Sequence, residues 1–414
     1  MIGDGKEMRI LLLVKEQYPS SRVRLKELFE KELSTWGSRI SWVMQSRDEC
    51  IEDHVFLSEK NEFHIIGSSC KRGTPGKIFN GFFAGRKLGI ATKLAPNCNI
   101  IIANDGLLEG IIGLVLKKRY GLPFCFYLSS QFQDFAKENF REQHSISTAI
   151  HYFLSIPKRK VFEYVIRNCD LFHPISHTMG HQYVRKGLIK DLFVLPICAS
   201  RDFLENSPDK LMNGQRNVVV YIGQISRMRR LDFLIRAFSM VKKHSEMHGL
   251  MIPKLRIIGT SLDRNEIPSL VQLACALGVD PYVEFIGAVP HDSIPEQMKD
   301  VALGVSPIPP TKGYIQSSPT KCIEYLSLGI PVVANREIID HRDVIEKSNG
   351  GIATAYNVEE FSRGIITLLY DQNEADKRGK MGKEWIERNR SYKYLARSLD
   401  TKYRELINGS HHEN

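Results

Sequence analysis

The chain has 414 residues, 43% hydrophobic and 25% charged, a length that calls for two or three domains and a composition of ordinary globular kind. Its formal charge of +10 points to an anionic partner without naming one, since nucleic acid, acidic lipid and nucleotide phosphates all qualify. The longest apolar runs, at 10–14 and 110–116, fall far short of the ~20 residues that span a bilayer, and the charged start runs straight into a strand-like segment, so neither a membrane span nor a signal peptide is expected.

In chain order, Met8–Val14 reads as a strand and Ser20–Trp36 as an amphipathic helix, with Val23, Leu25, Leu28, Phe29 and Leu33 at helical spacing. Strands are expected at Ile40–Val43, Phe63–Ile66 and Cys98–Ala103. Asp105 is expected to cap a helix running through Leu116 and ending near Gly121. Phe124–Leu128, Leu171–Ile175 and Leu192–Pro196 complete the half, with Ser176 as a second cap. The polar stretch 201–217 reads as a linker.

After it the pattern restarts. Strands are expected at Val218–Ile222, Lys254–Ile258, Tyr282–Ile286, Leu303–Ser306 and Pro331–Ala334. Helices alternate with them at Leu231–His244, Ile267–Leu277, Ile294–Asp300 and Cys322–Leu328, and further helical segments follow at Ser362–Tyr370, Glu374–Asn389 and Tyr392–Ile407. Strand–helix alternation means parallel sheets, so the expectation is an α/β fold of two doubly wound domains facing a cleft. Their expected limits are 1–200, 218–385 and a tail, 386–414, that returns to the first domain.

Eight cysteines, at 50, 70, 98, 125, 169, 198, 275 and 322, form no CxxC and have no zinc-like histidine spacing. They read as buried free thiols in a reducing cytosol. His173, His177 and His181 lack a third ligand, so structural or surface roles are expected and no metal. No GxGxxG follows Val14 or Ile222, which argues against a nicotinamide-dependent dehydrogenase.

Two stretches carry chemistry. In Tyr314–Asn335, YIQSSPTKCIEYLSLGIPVVAN, Ser317-Ser318-Pro319-Thr320 is expected to cap a helix starting about Lys321. A helix start offers N–H donors to a phosphate, with the hydroxyls of Ser318 and Thr320 and the Lys321 ammonium beside it, and Glu324 one turn on. The same residues also read as an ordinary capped helix with a surface Lys–Glu pair. In Tyr221–Phe238, a strand ending at Gly223 leads into Arg227, Arg229 and Arg230. Arginines at a strand's carboxyl end suit a pyrophosphate, or form a solvated basic turn. Tyr18–Arg24, with Arg22, is a third strand–loop–helix junction with basic residues. Ser155–Arg167 mixes basic and aromatic residues, and 105–190 holds 12 Lys/Arg against 7 Asp/Glu, so this part fits an anionic membrane surface or is a solvated helix face. No nucleic-acid motif is present.

The order YIGQ…R, LRIIGT, VEFIGAVP and SPTKCIEYLSLGIPVVA resembles the retaining nucleotide-sugar glycosyltransferases of family 4, which have the GT-B fold. The resemblance is strong over Val218–Tyr370 and weaker over Met8–Pro196. It implies transfer of a sugar, with retention and without metal or other cofactor, from a UDP- or GDP-sugar to a glycan or lipid-linked acceptor. The free thiols point to a cytoplasmic protein, and the basic, aromatic-bearing stretch 155–167 to a peripheral place on the membrane's inner face. By position the resemblance makes Glu324 the ribose-holding glutamate, Lys321, Thr320 and Ser318 the diphosphate-binding helix start, and Arg229 the cation on the leaving diphosphate. Gly223 and Gln224 belong to the same loop, and Phe285–Val289, with Phe285 and Val289 at its ends, would read the base. On the acceptor side it points to Ser129, and the Tyr18–Arg24 junction adds Arg22.

The sequence departs from the family at Gln316, where a glutamate is usual, at Gln224, where an arginine is common, at Ser129, where many relatives have histidine, and at Pro19-Ser20-Ser21, in place of a glycine-rich loop. A nucleotide-sugar epimerase of the same fold, or a binding protein that has lost catalysis, would carry most of the same residues.

Overall fold

The computed structural model describes residues 7–20, 22–46, 53–67, 79–130, 132–206 and 216–410. They form two compact units, one of residues 1–196 with 392–414 and one of residues 197–391.

The first unit is built on a seven-stranded sheet. Its elements are β1 (Arg9–Tyr18), α1 (Leu25–Leu33, wound with π-type hydrogen bonds), β2 (Arg39–Ser46), β3 (His54–Ser58), β4 (Asn61–Ile66), α2 (Phe79–Leu94), β5 (Ile100–Asn104), α3 (Leu107–Tyr120), β6 (Phe124–Leu128), α4 (Phe132–Gln143), α5 (Ile146–Asn168), β7 (Leu171–Pro174) and α6 (His177–Arg185). The strand order is β3-β4-β2-β1-β5-β6-β7. Every pair is parallel except β3 with β4. Runs such as Ile100–Ala103 and Phe124–Leu128 are buried throughout, because a parallel sheet is covered on both faces.

The second unit comprises α7 (Arg201–Glu205), β8 (Val218–Ile222), α8 (Leu231–Met247), β9 (Lys254–Ile258), α9 (Glu266–Ala276), β10 (Val283–Phe285), β11 (Val301–Ser306), α10 (Lys312–Ile315), α11 (Thr320–Ser327), β12 (Val332–Asn335), α12 (Ile339–Ser348), β13 (Gly351–Thr354), α13 (Val358–Tyr370) and α14 (Gln372–Asn389). Its six strands are all parallel, in the order β10-β9-β8-β11-β12-β13. One core, with Leu234, Ile235, Phe238 and Val241 of α8, fills one face of the sheet. A second, with Ile323, Tyr325 and Leu326 of α11, fills the other.

The final helix, α15 (Tyr392–Ser410), belongs to the first unit. Its Tyr403 is fully buried and meets His173 Nε2 at 3.1 Å through its hydroxyl.

Both sheets run 3-2-1-4-5-6 once β3 is set aside. In such sheets the chain leaves strand 1 to one side and returns on the other, opening a crevice at the carboxyl ends where ligands bind. Here those places are β1 beside β5 and β8 beside β11.

Several expectations are corrected. Residues 201–205 are a helix rather than linker; Ser200 Oγ accepts from Phe203 N at 3.4 Å and Phe203 is buried in the second unit. Residues 207–215 of that stretch, Ser21, Cys50 and Cys70 lie outside the described residues. Leu192–Pro196 supplies only an isolated bridge, Leu192 to Phe172. Residues 294–300 contain a 3₁₀ turn at Pro295–Met298 in place of an α-helix. Asp105 does not cap α3. Gly106 is the cap, and Asp105 sits at φ 60 with its carboxylate turned to Ser129. The Ser176 cap is present, accepting from Met179 N at 3.1 Å.

Candidate functional site

The site is built where β8 and β11 part. Gly223 follows β8 at φ 147, a backbone state that favours glycine. A Cβ there would fall 2.6 Å from Cε and 2.7 Å from Nζ of Lys321, so the lysine lies directly on the glycine backbone. Gly259, at the end of β9, packs equally close: a Cβ there would meet the Gly223 carbonyl oxygen at 1.9 Å. Gly223 N donates to Ile258 O at 2.9 Å and Gly259 N to Gly287 O at 2.8 Å. Three adjacent strands thus end in glycines that stack without side chains. Beside them opens a cavity of about 420 Å³ lined by Gly223, Gln224, Gly259, Thr260, Ala288 and Val289, among others.

Lys321 stands at the start of α11, whose cap is Pro319 with no side-chain hydrogen bond to the first turn. The cap thus falls within the expected stretch 317–320, but none of its hydroxyls makes the capping bond. The leading N–H groups of this helix therefore lack a side-chain acceptor, which is the arrangement that receives a phosphate. Tyr325, on the buried face of α11, accepts from Ile222 N at 2.9 Å through its hydroxyl. That bond fastens the helix to the end of β8 and fixes Lys321 over Gly223.

Arg229 comes from a 3₁₀ turn, Arg227–Arg229, and lays its guanidinium 4.7 Å from the ring centre of Tyr314. Lys321 Nζ lies 5.1 Å from the ring centre of Tyr221. Burial first, and then the Arg229 charge, push the Lys321 ammonium down to about 7, with Glu324 opposing both. Two cations held together against burial form a site that favours a polyanion.

Glu324 lies one turn along α11 and accepts from His291 Nε2 at 3.1 Å. That hydrogen bond, outweighing burial, raises the His291 imidazole above its usual value. The His291 ring packs on Phe203, centroids 4.7 Å apart. His291, Tyr221 and Tyr314 were not singled out from sequence. His291 follows the VEFIGAVP string directly, and that adjacency was the one available signal.

The remaining residues divide. Gln224 is exposed at the cavity and Thr320 is exposed at the helix start. Val289 lines the cavity, whereas Phe285 turns its ring to the core and leaves only backbone. Gln316 is half-buried after α10. Ser318 is turned inward. It donates to Asp340 Oδ2 at 2.7 Å and accepts from Ile197 N and from Arg390 Nη2, each at 3.1 Å, so it braces the helix start instead of offering its hydroxyl.

In the first unit, Ser129 donates to Asp105 through both its N–H, at 2.6 Å, and its hydroxyl. Arg22 is largely exposed, 3.4 Å from Glu16. The buried member of that loop is Arg24, bonded to Asn104 Oδ1 at 2.5 Å and stacked 3.6 Å over Tyr127. His173 is fully buried and bonded to Phe193 O at 2.9 Å, while His177 and His181 lie along α6. Cys98, Cys125, Cys169, Cys198 and Cys322 are free and buried, and Cys275 is exposed.

Residues 202–385 match the family model "Glycosyl transferases group 1". No curated protein sequence matches the chain. Among solved structures, it is similar to sucrose-phosphate synthase from Thermosynechococcus elongatus, with TM-score 0.72 and 16% identity, covering 97% of this chain and 100% of that one. It is also similar to α,α-trehalose 6-phosphate synthase from Burkholderia multivorans, with TM-score 0.69, 11% identity and coverage of 97% and 100%. A third is Anabaena Alr3699/HepE in complex with UDP, with TM-score 0.62, 14% identity and coverage of 95% and 99%. The chain thus has the GT-B fold, and through residues 202–385, a glycosyl transferases group 1 domain, it is an enzyme of the glycosyltransferase class.

Proposed function

We propose that the chain moves a sugar from a nucleoside diphosphate, UDP before GDP, to a hydroxyl of a glycan or lipid-linked acceptor, with retention and without a metal. The observation that carries this reading is the pair Lys321 and Arg229, held beside a side-chain-free glycine backbone and an uncapped helix start. UDP is favoured because the similar HepE structure holds UDP.

In this reading the diphosphate lies over Gly223, its oxygens on Lys321, Arg229 and the first N–H groups of α11 at Thr320. Glu324 exchanges His291 for the ribose hydroxyls. The backbone of 285–289 meets the base, and Gln224 and Gln316 edge the sugar. As the anomeric C–O bond breaks, its electron pair goes to the diphosphate. The acceptor oxygen bonds the anomeric carbon on the same face and gives its proton to the leaving diphosphate. Lys321 and Arg229 stabilise the charge that grows there, and such preorganised groups need not reorganise during reaction.

We also propose that α5 touches an anionic membrane. Ile146, Ile150, Phe153 and Leu154 recur at helical spacing and are 83%, 53%, 62% and 48% exposed, too apolar a stripe for a helix facing only water. Lys158 and Lys160 are exposed on the same helix.

The test is a thermal-shift panel of UDP, GDP, ADP and TDP, with and without magnesium, on the whole chain. A rise in Tm with one diphosphate, unchanged by magnesium and lost in Glu324→Ala, is expected. No shift with any of the four would refute the donor site. Donor consumption without an added acceptor, yielding an epimeric nucleotide sugar, would replace transfer by epimerisation.

A further inference from the structure

A carboxylate has two acceptor oxygens, and those of Glu324 are unequally used. Oε1 accepts from His291 Nε2 at 3.1 Å, and among the described residues no side chain donates to Oε2. The Glu324 side chain is 15% exposed and that of His291 37%, so the imidazole can turn to water where the carboxylate cannot. Glu324 is therefore the member of the pair that needs a partner.

The imidazole is held in place from two sides. Ser293 N donates to Pro290 O at 3.0 Å and closes the 3₁₀ turn His291–Ser293. The ring lies against Phe203 of α7, which is itself buried. Val289, two residues before His291, lines the cavity beside Gly223, so the turn that carries the imidazole continues the cavity wall. Lys321 and Glu324, at i and i+3, share one face of α11.

A ribose presents two neighbouring hydroxyls, one for each carboxylate oxygen, and engaging both sends His291 into water. A 2′-deoxyribose presents only one. It can donate to Oε2 while His291 stays on Oε1, and no carboxylate oxygen is then covered without a donor. Without His291, the deoxyribose would cover a bare Oε1, and a charged acceptor buried in that way loses its hydration with nothing in return.

We propose that His291 fixes which pentose the donor site accepts: it stands in for a missing hydroxyl on Glu324, so that the chain takes 2′-deoxyribonucleoside diphosphates and their sugars as well as the ribonucleoside forms. The proposal rests on the reading of Glu324 as the ribose partner and gives the donor a chemical class. His291 acts through Glu324 and is a positioning residue. Toward ribose it is a competitor to be displaced, and toward deoxyribose it completes the site; both effects narrow the difference between the two.

The test is calorimetric titration of the full chain with UDP and with 2′-deoxy-UDP, in wild type, His291→Ala and His291→Gln. The wild type is expected to bind the two within about tenfold of each other. In His291→Ala, UDP should bind at least as tightly as in wild type, and the preference for UDP over 2′-deoxy-UDP should grow by about tenfold or more. His291→Gln, whose amide can donate to Oε1, should restore the wild-type ratio. A merely structural His291 would weaken both nucleotides by one factor and leave the ratio unmoved, and that result overturns the proposal. So does a wild-type ratio well beyond tenfold, which decides the matter should His291→Ala not fold. UDP that binds wild type and Glu324→Ala alike, or binds neither, would strike the donor reading and this proposal with it; UDP binding that needs Glu324, with a ratio indifferent to His291→Ala, strikes the proposal alone.

Discussion

Lys321 makes a quantitative prediction about protons. Its ammonium is pushed down to about 7, so at pH 8 only about 10% of free protein carries the charge. A diphosphate seated on it restores the charge and brings the group back to its ordinary 10.5 or above. Binding of UDP at pH 8 should then take up about 0.9 proton, and at pH 6 only about 0.1. Calorimetry in buffers of different ionisation enthalpy at one pH reads this number as a slope. The affinity for UDP should fall roughly tenfold per pH unit above 7, as binding must supply a proton each time. His291 acts oppositely. If UDP takes Glu324 from it, its raised imidazole returns toward the ordinary value and releases a proton near neutral pH, which makes pH 8 the cleaner condition. Lys321→Met should abolish the slope. UDP that binds wild type at pH 8 with no proton uptake, or with equal uptake in Lys321→Met, would refute the placement of the diphosphate on this lysine. Free protein gives an independent sign: an unfolded lysine keeps its proton up to 10.5, so stability should rise with pH between 7 and 10.5, and rise less in Lys321→Met.

Arg229→Ala and Glu324→Ala should each cut transfer by a factor on the order of a hundred or more, with circular dichroism unchanged; full activity in both would remove the site assignment. Gly223→Ala drives a methyl into Lys321 and should abolish the UDP shift at a cost of about 1–3 kcal/mol, whereas Gly259→Ala meets backbone at 1.9 Å and should fail to give folded protein. Arg390 is buried with Asp340, at 3.0 and 2.9 Å, and more than offsets the burial that would push the Asp340 carboxyl up. Arg390→Met should therefore cost about 3–5 kcal/mol in urea unfolding, and Asp340→Asn beside it should recover part of the loss. On anionic vesicles the wild type should sediment and Phe153→Asp with Leu154→Asp should stay in solution; equal sedimentation would refute the α5 contact.

The second unit was more legible than the first because its strands announce themselves. Val218–Ile222 and Lys254–Ile258 are short apolar runs that stop at glycine, and their limits match the sequence reading residue for residue. The hairpin strand His54–Ser58 was missed because it is an exposed edge with no buried face to set a period. Gly351–Thr354 was missed because four residues carry too little pattern. The strand-end glycines, Lys321 and Arg229 could be picked out from the strand–loop–helix order. The inward turn of Ser318 could not, since a side chain's direction is settled by Asp340 and Arg390, which lie 22 and 72 residues on. Nor could the pairing of His291 with Glu324, 33 residues apart, which exists only once the chain is folded. Asp105 looked like a cap because aspartate before a helix usually is one; its positive φ turned it to Ser129.

The return of α15 to the first unit has a bearing on how the protein is made. Ala396, Leu399 and Tyr403 are fully buried, and Tyr403 meets His173 from more than two hundred residues away. The second unit, by contrast, is one unbroken segment, 197–391. A ribosome delivers chain from the N-terminus at about 5–20 residues per second, and domains ordinarily fold in that order. Here the order is inverted: the half synthesised first must wait, with the groove for Tyr403 unfilled, until the final helix emerges, by which time the half synthesised second already has every residue it needs. Translation that stops at Ser391 would release a finished second unit tethered to an unfinished first one, the form that chaperones and proteases would meet first.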